Sequence, residues 1–324
     1  MRRIDAEVLT VRYALIFPGQ GAQRPGMCKD FYDEYDASRR AFEEADEALG
    51  FSLSDIIFNG TQADLTKTEI TQPAILTASI AAFRAVEAEF GAKLKPVCVA
   101  GHSLGEYTAL VATGAVSLAD GVRLVHLRGR LMQDAVPLGI GSMAAIVGKG
   151  LDEVSAACDE AAKGEVCEAA NVNAPAQIVV SGHASAVERA SAILTAAGAK
   201  VVPLRVSAPF HCKLMRPVGE ELKDAFAKIE WHEPECPIAA NASAKLIKNV
   251  DELKEALYRQ TFSPVLWSQS VLAMEAYGTD GYIEMGPGSV LSGLVRKICN
   301  GKRPYPVSDK EGLALAVKFL RGEA

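Results

Sequence analysis

Positive charge is in short supply: 34 Lys and Arg stand against 40 Asp and Glu in 324 residues, a formal net charge of -6. Nucleic-acid binding usually needs a basic face, so no nucleic-acid partner is expected, although a local basic patch for an acidic partner stays compatible with this balance. The seven cysteines, at positions 28, 98, 158, 167, 212, 236 and 299, are odd in number and include no Cys-x-x-Cys pair. They read as reduced, mostly buried thiols of a cytoplasmic protein, and no metal site is expected. No run of 18 apolar residues occurs, which leaves no helix to cross a membrane. Met1-Arg2-Arg3 is basic, but Ile4-Asp5-Ala6-Glu7 follows where a secretion signal needs an apolar core. The first ten residues read as a polar extension.

What the chain does have is apolar material, 49% of its residues, enough for one large domain carrying a smaller one. Tyr13–Phe17 is a short apolar strand closed by Pro18-Gly19, and helical patterns run from about Asp36 to Ala48 and from Pro73 to Phe90. Val97–Ala100 is apolar without alternation, as a strand buried on both faces must be. Ser117 is an N-cap with Asp120 three residues on, opening a long amphipathic helix to about Val136. The period then changes. Met143–Val147, Leu151–Ala162, Val166–Asn171, Gln177–Ser181, Ala184–Ala197 and Val201–Leu204 give the order β-α-β-β-α-β. That is the ferredoxin-like split βαβ unit, so residues 138–205 are expected as an inserted small subdomain in an α/β protein. Beyond it come a helix from about Lys213 to Lys228, a strand near Ile238, helices from Val250 and Ser268, a strand Gly281–Glu284 and a last helix from Lys310.

The most telling stretch is Gly101-His102-Ser103-Leu104-Gly105, a Gly-x-Ser-x-Gly between an apolar strand and a helix. A strand that turns sharply into a helix strains its central residue, and the two glycines remove side chains that would collide there. Ser103 is thereby the candidate nucleophile, with the helix N-terminus aimed at a developing oxyanion. A serine hydroxyl needs a base. Of five histidines, His126, His183 and His232 read as structural or solvent-facing, and His102, next to the nucleophile, supports the turn or touches substrate. His211 lies in the Pro-containing segment Ser207–Cys212 just after the small subdomain closes, where a loop can reach across a cleft.

Gly19-Gln20-Gly21, directly after the first strand, lacks the third glycine of a dinucleotide fingerprint, Arg24 standing in its place. It suits instead a turn that lends a backbone N–H to an oxyanion hole. Arg128 has Gly129 beside it, and a glycine inside a helix costs about 1 kcal/mol against Ala. Something is expected to approach the helix backbone closely there.

Together, Gly19-Gln20-Gly21, Gly101–Tyr107, Arg128–Gln133, Asn171-Val172-Asn173, Phe210-His211 and Gln260 resemble the malonyl-CoA:acyl carrier protein transacylases, over nearly the whole chain from Tyr13. The resemblance implies an α/β-hydrolase-like large domain (residues 1–137 and 206–324) carrying the ferredoxin-like subdomain. It implies that Ser103 takes a malonyl group from malonyl-CoA, with His211 as general base and Arg128 holding the free malonyl carboxylate. The N–H groups of Gln20 and Leu104 would form the oxyanion hole, and the main-chain carbonyl of Gln260 would orient His211 in place of an acidic triad member. Phe210 would narrow the acyl pocket against an α-methyl group. No cofactor is implied beyond the substrates, malonyl-CoA and the phosphopantetheine of acyl carrier protein, and the implied protein is a cytoplasmic monomer serving fatty acid synthesis. Lys213, Arg216, Lys297 and Lys302 are candidates for a basic patch facing the acidic carrier. The rival readings are a serine thioesterase or hydrolase acting on acyl-CoA, and a non-catalytic acyl-CoA-binding module.

Overall fold

The computed structural model describes residues 11–137 and 139–323. The polar extension expected at residues 1–10, and Leu138 at the start of the expected subdomain, lie outside the described residues. In chain order the strands are β1 (Tyr13–Phe17), β2 (Cys98–Gly101), β3 (Gly141–Val147), β4 (Cys167–Ala174), β5 (Gln177–His183), β6 (Lys200–Pro203), β7 (Ile238–Ala239), β8 (Leu246–Ile247), β9 (Gly281–Met285) and β10 (Tyr305–Val307). They make two sheets.

The larger sheet has the order β10-β9-β1-β2-β7-β8. Its strands are parallel except β8, which returns antiparallel to β7. Each central strand is apolar throughout because both of its faces are covered. Leu15, Phe17 and Val99 enter one core with the helices Thr68–Phe90 and Leu104–Ala112, while Ala14, Ile16 and Ala100 meet Trp267, Val271 and Leu294 on the other side. Phe17 of β1 pairs with Gly101 of β2, so the turn Pro18–Gly21 and the elbow at Ser103 leave the sheet side by side. Open parallel sheets bind ligands beyond these carboxyl ends of their strands.

The second sheet, β4-β5-β3-β6, is antiparallel throughout and packs on the helices Leu151–Ala162 and Ala184–Ala196 around a core of its own. Its edge strand β4 is joined to the segment after Gln260: Val172 N–H donates to Val265 O and Val265 N–H to Ala170 O, both at 2.9 Å. A register shift between Ala169 and Asn171 accompanies this join.

One helix start differs from expectation. The helix expected from Pro73 begins at Thr68, leaving Pro73 inside it. Proline has no N–H for the carbonyl four residues back, and that orphan, Glu69 O, accepts instead from His126 Nδ1 at 2.9 Å. His126 therefore repairs a helix. The glycine at 129 has its reason here as well: a Cβ on Gly129 would lie 2.5 Å from Thr68 O and 2.7 Å from Glu69 Cα. Gly129→Ala, although favourable for helix propensity by about 1 kcal/mol, is expected to be destabilising by roughly 1–3 kcal/mol through overpacking. Thermal unfolding of the variant checks this, and an unchanged or raised Tm would contradict it.

Candidate active site

Ser103 sits between β2 and the helix Leu104–Ala112 with φ 53° and ψ -105°, a conformation that non-glycine residues rarely adopt. The glycines around it permit the turn. A Cβ on Gly101 would come within 1.9 Å of Gly105, one on Gly105 within 2.2 Å of Phe17 O, and one on Gly19 within 2.5 Å of His102 O. Asn241, just beyond β7, clamps the elbow: its Oδ1 accepts from Ser103 N–H at 2.7 Å and its Nδ2 donates to Gly101 O at 2.7 Å.

Ser103 Oγ is 2.7 Å from His211 Nε2, and His211 Nδ1 donates to the main-chain carbonyl of Gln260 at 2.8 Å. The carbonyl can only accept, so it fixes the proton on Nδ1 and leaves Nε2 free to take the serine proton. Burial first, and then the charge of Arg128, hold the His211 pKa down to about 3. The imidazole is neutral at physiological pH, as a general base must be before it acts.

Arg128 comes from the helix Leu118–Asp134 and is 1% exposed. It donates to Gln72 Oε1 at 2.7 Å, Gln260 Oε1 at 2.9 Å and Ser103 Oγ at 3.0 Å, all neutral acceptors. Its carbon Cζ lies 5.3 Å from the centre of the Tyr107 ring. Burial lowers the Arg128 pKa, yet a guanidinium stays protonated in proteins. A desolvated cation without a bonded carboxylate, beside a nucleophile, is a receptor for an anion.

At the elbow, Ser103 N–H is taken by Asn241, Gly105 N–H by His102 O and Glu106 N–H by Ser103 O, so Leu104 N–H is the one without a partner among the described residues. In the turn after β1, Gly21 N–H is taken by Gln23 Oε1 and Ala22 N–H by Gly19 O, whereas Gln20 N–H has no partner among the described residues. Gln20, His102, Ser103, Arg128, Phe210 and His211 line one cavity of about 130 Å³. Of the other two candidate site residues, Leu104 follows Ser103 directly and Gln260 bonds both His211 and Arg128.

His102 turns its Nε2 to Asn173 Oδ1 at 2.8 Å, linking the elbow to β4, and burial lowers its pKa. Sequence reasoning left Gln72, Glu106, Asn173 and Asn241 without roles. A glutamate in the first turn after the elbow was the available signal, whereas Gln72 lay ahead of the helix expected from Pro73. The remaining histidines are placed elsewhere: His183 Nδ1 accepts from Val166 N–H, and His232 is exposed beside Glu230.

The expected basic patch loses one member. Lys302 bonds Glu275 at 3.1 Å and Thr279 O at 2.6 Å, just before β9 begins, and so belongs to the opposite end of the sheet from Ser103. Lys213, paired with Glu168 at 2.7 Å, and Arg216, stacked on Phe262, line one cavity, and Lys297 donates to Gln177. Sequence alone placed Lys302 near the site by chain position, whereas sheet polarity puts it at the other end. Among the described residues no helix is long and apolar enough to cross a membrane, and no cluster of His, Cys, Asp and Glu has the arrangement of a metal site.

Comparison with known proteins agrees with this geometry. Residues 14–313 match the acyl transferase domain family. The malonyl CoA-acyl carrier protein transacylase of Escherichia coli K12 is 44% identical over 309 residues, covering 95% of this chain and 99% of that protein. The structure of the malonyl CoA-acyl carrier protein transacylase from Coxiella burnetii superposes with a TM-score of 0.94 at 38% identity, covering 97% of this chain and 99% of the other. A malonyl-transacylase solved in complex with its type II PKS acyl-carrier protein gives a TM-score of 0.92 at 40% identity, with 95% and 99% covered. With its serine, histidine and buried arginine in one chamber, and with likeness along nearly its whole length, the chain belongs to the acyl transferase family of the malonyl CoA-acyl carrier protein transacylases.

Proposed function

We propose that this chain moves the malonyl group of malonyl-CoA to the phosphopantetheine thiol of acyl carrier protein through an ester on Ser103, supplying extender units for fatty acid synthesis. The observation that carries this reading is Arg128 Nη2 at 3.0 Å from Ser103 Oγ. In a malonyl thioester one methylene separates the reacting carbonyl from the free carboxylate, so a cation that reads the carboxylate must stand within a few ångströms of the nucleophile. Arg128 does. A fork of parallel N–H donors matches a carboxylate, and an acetyl group offers it nothing.

His211 Nε2 removes the hydroxyl proton as Ser103 Oγ attacks the thioester carbonyl. Negative charge develops on the carbonyl oxygen, where the free N–H groups of Leu104 and Gln20 receive it. Collapse breaks the C–S bond, and the proton on His211 passes to the departing CoA sulfur. The carrier thiol then repeats the sequence against the ester, returning the proton to Ser103. The chain, the malonyl thioester and the carrier thiol supply every group these steps use. We read the six-stranded part (residues 1–137 and 206–324) as α/β-hydrolase-like and residues 138–205 as a ferredoxin-like subdomain, since β-α-β-β-α-β with strand order β4-β5-β3-β6 is that unit's arrangement. The molecule works as a cytoplasmic monomer.

Initial rates with both substrates varied test the proposal: parallel double-reciprocal lines are expected, with slow malonyl-CoA consumption alone and fast consumption with carrier. Intersecting lines, or consumption independent of the carrier, would overturn it. Phe210 lines the chamber and is 8% exposed. Phe210→Ser is expected to raise the methylmalonyl-CoA rate by roughly tenfold relative to malonyl-CoA, about what one or two methylene-sized contacts are worth. An equal change on both substrates would mark Phe210 as packing only.

A further inference from the structure

Glu106 is buried, 0% exposed, in the first turn after the nucleophile, and no step above uses it. Its Oε2 accepts from Gln260 Nε2 at 2.8 Å and from Asn241 N–H at 3.1 Å. Gln260 Nε2 gives its second hydrogen to Ser103 O at 2.8 Å, and Gln260 Oε1 is left to face Arg128 Nη2 at 2.9 Å. An amide can present either end, and reversing this one would set its NH₂ against the guanidinium, donor against donor. Something must hold the NH₂ end away from Arg128. Ser103 O is one acceptor on that side, and the Glu106 carboxylate is the other.

We propose that Glu106 is a positioning residue: by accepting from Gln260 Nε2 it fixes the direction of that amide, and through it the place of the Arg128 head that receives the acyl carboxylate. This rests on the reading of Arg128 given above. Acceptance at Oε2 is what the role requires, and it survives either charge state of the carboxyl, because Oε1 has no hydrogen-bond partner among the described residues and a proton there leaves Oε2 open. Asn241 N–H, held in place by the same residue's grip on the elbow, aims Oε2 at Gln260. The acyl selectivity of the site is therefore set three residues back from the carboxylate, behind Arg128 and Gln260, on the helix that the nucleophile begins.

The test compares Glu106→Gln and Glu106→Leu with the unaltered protein, using malonyl-CoA and acetyl-CoA with the same carrier, and repeats Glu106→Leu in an Arg128→Ala background. Glu106→Gln keeps an acceptor toward Gln260 and is expected to hold the malonyl-CoA KM within about threefold, since a neutral carbonyl replaces the carboxylate oxygen. Glu106→Leu is expected to raise the malonyl-CoA KM by about tenfold or more, with a much smaller change for acetyl-CoA, the pattern of lost carboxylate binding. In the Arg128→Ala background the same change should alter the malonyl-to-acetyl ratio by less than about twofold, because the two residues act in one chain. Melting temperatures are recorded alongside, since Glu106→Leu leaves two buried N–H groups unpaired. A general structural role would lower both acyl rates alike, and a role as counter-charge would make Glu106→Gln behave as Glu106→Leu. Either result overturns the proposal, as does an undiminished effect without Arg128. Failure of the malonyl-transfer reading shows separately, in the unaltered protein with malonyl-CoA and carrier.

Discussion

Ser103→Ala is expected to lower kcat for malonyl transfer by about four orders of magnitude or more, the scale seen when a serine nucleophile is removed from a working site. Nothing nearby replaces the hydroxyl. His211 keeps its bond to Gln260 O but loses the group whose proton it takes, and Arg128 retains Gln72 and Gln260 as partners. The fold should barely notice. The Ser103 side chain caps no helix N–H, and Ala and Ser bear the same Cβ at φ 53°, so the backbone strain is common to both. Incubation with malonyl-CoA followed by intact-protein mass spectrometry is the measurement: a malonyl adduct forms on the unaltered chain and none on the variant. Retained turnover, or an adduct of equal yield on the variant, would place the nucleophile elsewhere.

Much of this arrangement is readable from the chain because its signals are local. The strand Tyr13–Phe17 and the helix Leu151–Ala162 fall where their patterns put them, and Ser117 Oγ accepts from Asp120 N–H at 3.0 Å as the N-cap pattern requires. The elbow is legible since steric demand at a sharp turn writes itself as two glycines. Other elements were passed over although their signals are equally local. The short helices Leu53–Asn59 and Gln62–Thr66 carry Ser52 and Thr61 as caps, but at seven and five residues they are too short for a hydrophobic period to declare itself. Pro73 misled by its position. Proline at a first helical turn is the common case, and only a histidine 53 positions away in sequence, by the numbering of Pro73 and His126, makes the interior site tolerable.

The polar scaffold behind the site was the least legible. Asn241, Glu106 and Gln72 act through partners more than fifty residues distant in the chain, and no local pattern separates such a residue from a solvated one. Burial does. A glutamate with no exposed surface, whose pKa burial lifts to about 7, and an arginine bonded only to amides and a hydroxyl are anomalies that appear once the fold surrounds them. The misplacement of Lys302 has the same origin, since residues close in chain to the closing helix lie at whichever end of the sheet the parallel strands dictate.

Arg128→Ala follows from that anomaly and carries the second large effect. Malonyl transfer should lose on the order of 2–5 kcal/mol of transition-state stabilisation, the range for truncating one partner of a buried charge pair. In kcat/KM that is roughly 30- to 5,000-fold. Acetyl-CoA carries no carboxylate to lose, so its rate should hold or rise relative to malonyl-CoA, and the ratio of the two is the decisive quantity. Arg128→Lys should recover little of the loss. Lysine presents one compact ammonium instead of a planar fork, and it cannot bond Gln72 Oε1, Gln260 Oε1 and a carboxylate in the geometry that Nη1 and Nη2 hold here. Steady-state kinetics with both acyl-CoAs on both variants, at matched folded fractions, measure this. Unchanged malonyl and acetyl kinetics in Arg128→Ala would remove Arg128 from recognition, while full rescue by lysine would reduce its part to charge alone, without the directional bonds on which discrimination between the two acyl groups depends.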